Sequence, residues 1–161
     1  MGKTRFEFEY DVYESSEELT GEDAALLDRA RKMTAVAYAP YSNFFVGAVA
    51  RLVNGEIVAG TNQENASYPV GICAERVLLG NAATSFPGVA IDTLAVSYDS
   101  KNGLSDHPIS PCGMCRQALL EYEARSERPI RVILAGQTGE VLIVKSTSFL
   151  LPFAFRQADL G

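Results

Sequence analysis

A chain of 161 residues, 47% of them hydrophobic, can bury one sizeable core but is short for two. Its formal charge of −6 argues against a polyanionic partner, because proteins that neutralise phosphates carry a basic footprint, and a small molecule is the easier partner to defend. No apolar run reaches membrane-spanning length, and the opening "MGKTRFEFEYDVYESSEE" has neither the basic start nor the apolar stretch of a secretory signal, so a cytoplasmic location and no membrane partner are expected.

Residues 5–13, "RFEFEYDVY", alternate apolar and charged, which suits a strand with one buried face or an arm that orders against a partner subunit. In "TGEDAALLDRARKMTAVAYA", Thr20 and Asp23 are spaced like a capping box, and Leu26, Leu27, Met33 and Val36 recur near helical spacing, predicting a helix that covers a sheet. Two apolar segments then flank Asn54-Gly55, a hairpin signal because tight turns need residues that tolerate positive φ. The pattern continues as a helix over 72–84, a strand over 91–98, a loop over 99–110, a helix over 112–123 and strands in "IRVILAG" and "EVLIVKS" separated by the turn "QTGE". There are no internal repeats, low-complexity tracts or linkers. Alternation of strand and helix after an initial hairpin predicts a mixed sheet with helices on both faces.

Three cysteines, an odd number in a chain of cytosolic character, make a poor disulfide framework. Cys112 and Cys115, in "SPCGMCRQ", have a spacing that lets two thiolates reach one ion, and Pro111 suits a helix start. Cys73, in "GICAER", opens another predicted helix and supplies a third sulfur. Three sulfurs leave one position of a tetrahedral zinc open for water, the mark of a catalytic rather than a structural site. Buried core cysteines would be the plainer reading, but they suit neither the polar surroundings of Cys73 nor the glycine beside Cys112.

Helix N-termini favour anions, so thiolates placed there are stabilised. Three of them on one Zn²⁺ leave a net negative cluster, which Arg76 is expected to offset; Arg116 could do the same or simply cap a helix or meet solvent. Glu75 falls in the first helical turn beside the open position and can move protons to and from the water there. A fully ligated structural zinc would need a fourth ligand, and the lone histidine, His107, lies in the polar run "SDHPIS" with no partner pattern.

With these motifs in place the chain resembles the cytidine deaminases, in the small-subunit type with three cysteine ligands. The resemblance runs from "YAPYSNFFVGA" to "LLPFAF" and rests most specifically on "GICAER" and "SPCGMCRQ". It implies one Zn²⁺ per chain on Cys73, Cys112 and Cys115, with Glu75 as the proton carrier in deamination of cytidine or 2′-deoxycytidine. It further implies Asn62 and Glu64 at the ribose hydroxyls, Phe44 beside the base and the Ala74 backbone at the pyrimidine edge. Tyr68 and Phe155 match aromatic contacts supplied by neighbouring subunits, with Phe153 a rival for the stacking ring.

The implied fold is a three-layer α/β/α domain over residues 21–161 with a mixed five-stranded sheet, preceded by an extension, edge strand or arm, over residues 1–20. The implied assembly is a homotetramer with shared sites. Competing readings are a deaminase of the same fold for another substrate, such as blasticidin S, and a non-enzymatic structural zinc module. Asn62, Glu64 and Phe155 weigh against the first, and the missing fourth ligand against the second.

Overall fold

Six strands and three helices of a computed structural model describing residues 1–161 carry the architecture. In chain order they are β1 (Tyr10–Tyr13), α1 (Gly21–Met33), β2 (Phe44–Leu52), β3 (Ile57–Thr61), α2 (Ala74–Ser85), β4 (Ile91–Ser100), α3 (Gly113–Arg125), β5 (Arg131–Ala135) and β6 (Val141–Val144). The sheet order is β1-β6-β5-β4-β2-β3, and β4–β5 is its one parallel pair. A parallel pair needs a long crossover, which α3 supplies.

Strand β4 lies inside the sheet and is buried on both faces from Thr93 to Tyr98, as its near-continuous apolar run requires. One face, through Ala48, Leu94 and Val132, packs under Leu78 of α2 and Leu119 of α3. The other, through Val49, Ala95 and Ile133, packs under Leu27 and Ala30 of α1. The molecule is therefore the three-layer α/β/α sandwich expected. No helix is long and apolar enough to cross a membrane.

The sheet has six strands, not five. The sixth is the end of the N-terminal alternating segment, where Tyr10–Tyr13 pairs antiparallel with β6 from Tyr10↔Val144 to Tyr13↔Val141. Strand β6 offers only four residues, so pairing stops at Tyr10. Residues 5–9 extend beyond it, with Phe8 stacked on Phe149 at 5.4 Å.

Local chemistry explains three further departures from the sequence pattern. Thr20 occupies the N-cap of α1 without a side-chain capping bond, and the return half of a capping box is lost because the Asp23 carboxylate is turned to the Arg131 guanidinium, with contacts of 2.7 and 2.6 Å that tie α1 to β5. Helix α1 ends at Met33 rather than near residue 39, where the Thr34 hydroxyl donates back to Arg31 O at 2.7 Å and competes with the helical ladder. The hairpin turn has positive φ at Gly55 alone (+87°); with Gly55 N donating to Leu52 O and Leu52 N to Glu56 O, it is a three-residue loop with a glycine bulge.

One glycine places the site. A Cβ on Gly60 would stand 2.4 Å from both Ala74 O and Leu78 N. Only a bare backbone lets the start of α2 lie this close on β3.

Candidate metal centre and substrate cleft

Helices α2 and α3 begin side by side, and their N-cap residues are Cys73 and Cys112, both with extended backbone and neither using its side chain to cap. Cys115 sits in the first turn of α3. The Cys73 and Cys112 sulfurs are 3.8 Å apart, those of Cys112 and Cys115 are 3.5 Å apart, and all three lie within 4.8 Å of one another. Tetrahedral zinc with bonds of about 2.3 Å requires its sulfurs to stand roughly 3.8 Å apart, so the donor set fits that ion.

The acidities say the same. Contact with Cys115, against the cost of burial and with help from Cys112 and the Arg76 charge, pulls the Cys73 thiol down to about 6. Cys115 is driven strongly upward by its bond to Cys73, by burial and by the Glu75 charge. Of the Cys73–Cys115 pair, one sulfur is thus favoured as a thiolate and the other disfavoured. A divalent cation removes that conflict.

Neither a histidine nor a carboxylate joins the three sulfurs. The His107 side chain is 64% exposed, 3.0 Å from Asp106 and 3.4 Å from the Tyr98 hydroxyl, and takes no part in the cluster. Glu75, in contrast, is only 5% exposed. Burial pushes its carboxyl above the usual range, against hydrogen bonds from its own backbone and from Cys115.

Cys73, Cys112 and Glu75 border a cleft of about 550 Å³ that also receives Phe44, Asn62, Glu64, Tyr68 and Ala74. That volume suits a small organic ligand. Asn62 stands where β3 leaves the sheet, and its amide continues the ladder: Oδ1 accepts from Val46 N and Nδ2 donates to Phe44 O, each at 2.8 Å. A second amide hydrogen and a second oxygen lone pair stay free for a ligand. Glu64 Oε2 accepts from Tyr41 N at 2.9 Å and Ser42 N at 3.2 Å. Burial works to raise the Glu64 carboxyl, but the Ser42 hydroxyl and these two N–H groups outweigh it and hold it below the usual range.

Phe44 is backed by the buried Tyr98 ring, stacked at 4.8 Å and 15°. Sequence reading missed Tyr98, and it also missed the cleft residues Val46, Val96, Ile109 and Met114. Ile109 and Met114 flank the "PC" start of α3, which is the one signal that could have found them.

Three expected participants stand apart from the cleft floor. Tyr68 reaches the rim of its own chain's cleft rather than only a neighbour's, is 75% exposed and packs edge-on to Tyr41 at 6.0 Å. Phe155 is 59% exposed and does not border its own chain's cleft. Arg76 acts on Cys73 through its charge. Arg116, left open between two roles, is bonded to the carbonyls of Pro111 and Leu150 instead of to sulfur.

Residues 20–127 match the family model described as "Cytidine and deoxycytidylate deaminase zinc-binding region". The chain is similar to a cytidine deaminase of Sporosarcina psychrophila, 37% identical over 137 residues that cover 84% of this chain and 93% of the relative. It is likewise similar to a cytidine deaminase of Halalkalibacterium halodurans, 36% identical over 125 residues, or 78% and 87% of the two chains. Among solved structures, the cytidine deaminase of Burkholderia pseudomallei superposes with a TM-score of 0.72 at 37% identity, covering 84% of this chain and all (100%) of the other.

Proposed function

Because the chain belongs to the cytidine and deoxycytidylate deaminase family, we propose that it hydrolyses cytidine and 2′-deoxycytidine to the corresponding uridines with release of ammonia. The observation that carries the reading is the meeting of three sulfurs, at the starts of two helices, with a buried carboxylate two residues from one of them, all at one cleft. Cys73, Cys112 and Cys115 would hold a Zn²⁺ ion, which would supply a bound water of lowered pKa.

The rest is the work of the chain. Glu75 takes a proton from the attacking water and gives it to ring N3 as oxygen adds at C4. It then takes the second proton from the new hydroxyl and gives it to the amine; the C4–N bond breaks, the carbonyl forms and ammonia leaves. One carboxylate suffices, because the proton it accepts in each half is the one that half must deliver. Buried beside the sulfurs, Glu75 has no bulk water competing for that proton.

Asn62 and Glu64 recognise the ribose, the amide donating to and the carboxylate accepting from its hydroxyls, with Glu64 preset by Tyr41 and Ser42. Phe44, held by Tyr98, forms the wall beside the base, and the Ala74 backbone meets the pyrimidine edge. Arg76 offsets the charge of the three thiolates. The Phe155 ring, exposed and not among the residues that border its own chain's cleft, stacks on the base in a neighbouring subunit of a homotetramer, and Tyr68 closes the rim. The enzyme acts in the cytoplasm in pyrimidine salvage.

The deciding experiment is an ultraviolet assay on cytidine and deoxycytidine before and after chelation, with zinc counted in the same sample. Metal-dependent conversion with one zinc per chain is expected. Zinc without conversion of either nucleoside would refute the substrate assignment.

A further inference from the structure

The pair Arg116-Gln117, directly after Cys115, plays no part in the reaction above, yet both side chains reach carbonyls of the C-terminal segment. Arg116 Nε donates to Pro111 O at 2.8 Å while its Nη1 donates to Leu150 O at 3.1 Å. Gln117 Nε2 donates to Phe155 O at 2.8 Å, the one hydrogen bond that residues 152–155 make to the rest of the protein. Farther along α3, Glu123 accepts from the Ser146 hydroxyl at 2.6 Å and from the Thr147 N–H and hydroxyl at 2.8 and 2.7 Å. In chain order these contacts pass from Glu123, with Ser146 and Thr147, to the adjacent Arg116 and Gln117, with Leu150 and Phe155. The C-terminal segment descends α3 from its far end to the end that carries Cys112 and Cys115.

We propose that Arg116 and Gln117 are positioning residues that lock this aromatic C-terminal segment to the metal-ligand loop, so that filling the thiolate site and fixing Phe155 are linked. Residues 151–156 have no regular secondary structure, and Phe153 is 95% exposed, so the segment's own packing cannot hold it. The planar guanidinium spans two carbonyls at once, one of them on Pro111, the residue before the ligand Cys112. A cation on the sulfurs fixes Cys112 and Cys115 relative to each other, hence Pro111, hence through Arg116 the backbone at Leu150. Gln117 carries the same constraint to Phe155. The metal part of this inference rests on the proposed function; the tether itself does not require that Phe155 meets a base.

The test is limited chymotrypsin cleavage after Phe153, 95% exposed, in the full chain, read by mass spectrometry. At full zinc occupancy, Gln117→Met removes the donor at similar volume and should speed cleavage about 2- to 10-fold, the range that loss of one hydrogen bond gives. Glu121→Gln, on the exposed side of α3, should be cut at the wild-type rate. Chelation should speed cleavage in the wild type, but add little in Arg116→Lys, whose ammonium keeps the charge and cannot bridge both carbonyls. Wild-type cleavage rates in Gln117→Met, or a chelation effect of equal size in Arg116→Lys and wild type, would overturn the proposal. A faster-cut Gln117→Met with unchanged KM for cytidine would uphold the tether and remove Phe155 from the base, so the two readings fail separately.

Discussion

The metal end of the cleft and its aromatic cover are built in opposite ways. Cys73, Cys112, Cys115, Ala74 and Glu75 stand on the first turns of two helices pressed onto the sheet, and Ala74, Glu75 and Cys115 are buried. Tyr68, Phe153 and Phe155 stand on short turns or irregular chain and are exposed. Helix starts on a packed sheet give the sub-ångström placement that metal binding and proton transfer need, while a loop ring positions a base only once something covers it. The proposed chemistry is therefore complete within one chain, and the proposed recognition of the base is not. In this light the exposure of Phe155 is what the proposed role in a neighbouring subunit would require.

The sharpest way to break this division is at its buried end. Glu75→Gln keeps the size and burial of the side chain but cannot carry a proton, so kcat should fall by about 10²- to 10⁴-fold with zinc content unchanged. Steady-state kinetics alongside metal counting checks it, and turnover near wild type would remove Glu75 from the reaction. Next in size is the support beneath that end. In Gly60→Ala the new methyl would meet Ala74 O and Leu78 N, backbone atoms that cannot swing aside. Forcing α2 off β3 should cost about 1–3 kcal/mol of stability and loosen zinc, since Cys73 moves with the helix. Urea unfolding and competition with a chelator measure the two effects; a variant as stable as wild type would mean that α2 is less tightly seated than the contact distances require.

How much of this was legible in the sequence follows the same division. Cys73, Glu75, Cys112 and Cys115 were legible because their signal is local: a ligand spacing beside a helix start. Asn62, Glu64 and Phe44 needed the family resemblance, since nothing in their neighbourhood along the chain says that they share a cleft. Arg116 was unreadable because its partner Leu150 is 34 positions away, and Tyr98 because stacking behind Phe44 arises only when β2 and β4 pair. The strand count missed by one for a related reason. Alternation marked residues 5–13 as strand-like, but the length of the partner β6 decides where pairing begins.

The smallest effect probes the exposed end and sharpens the comparison most, because it asks whether Phe155 or Phe153 is the proposed stacking ring. An aromatic ring stacked on a base contributes about 0.5–1.5 kcal/mol beyond its area, so Phe155→Ala should raise KM for cytidine roughly 2- to 12-fold. Turnover at saturating substrate should change little, because Glu75 and the sulfurs are untouched. Phe153→Ala is the matched control, with the same ring removed two residues away from a side chain that is almost fully exposed. A rise in KM for Phe153→Ala alone would transfer the stacking role to Phe153. With no rise in either, the base would be held from one side only, by Phe44 on its Tyr98 backing. Dilution separates the last possibility, since a ring donated between subunits must be lost as the assembly dissociates, whereas a wall built within one chain keeps its KM at any protein concentration.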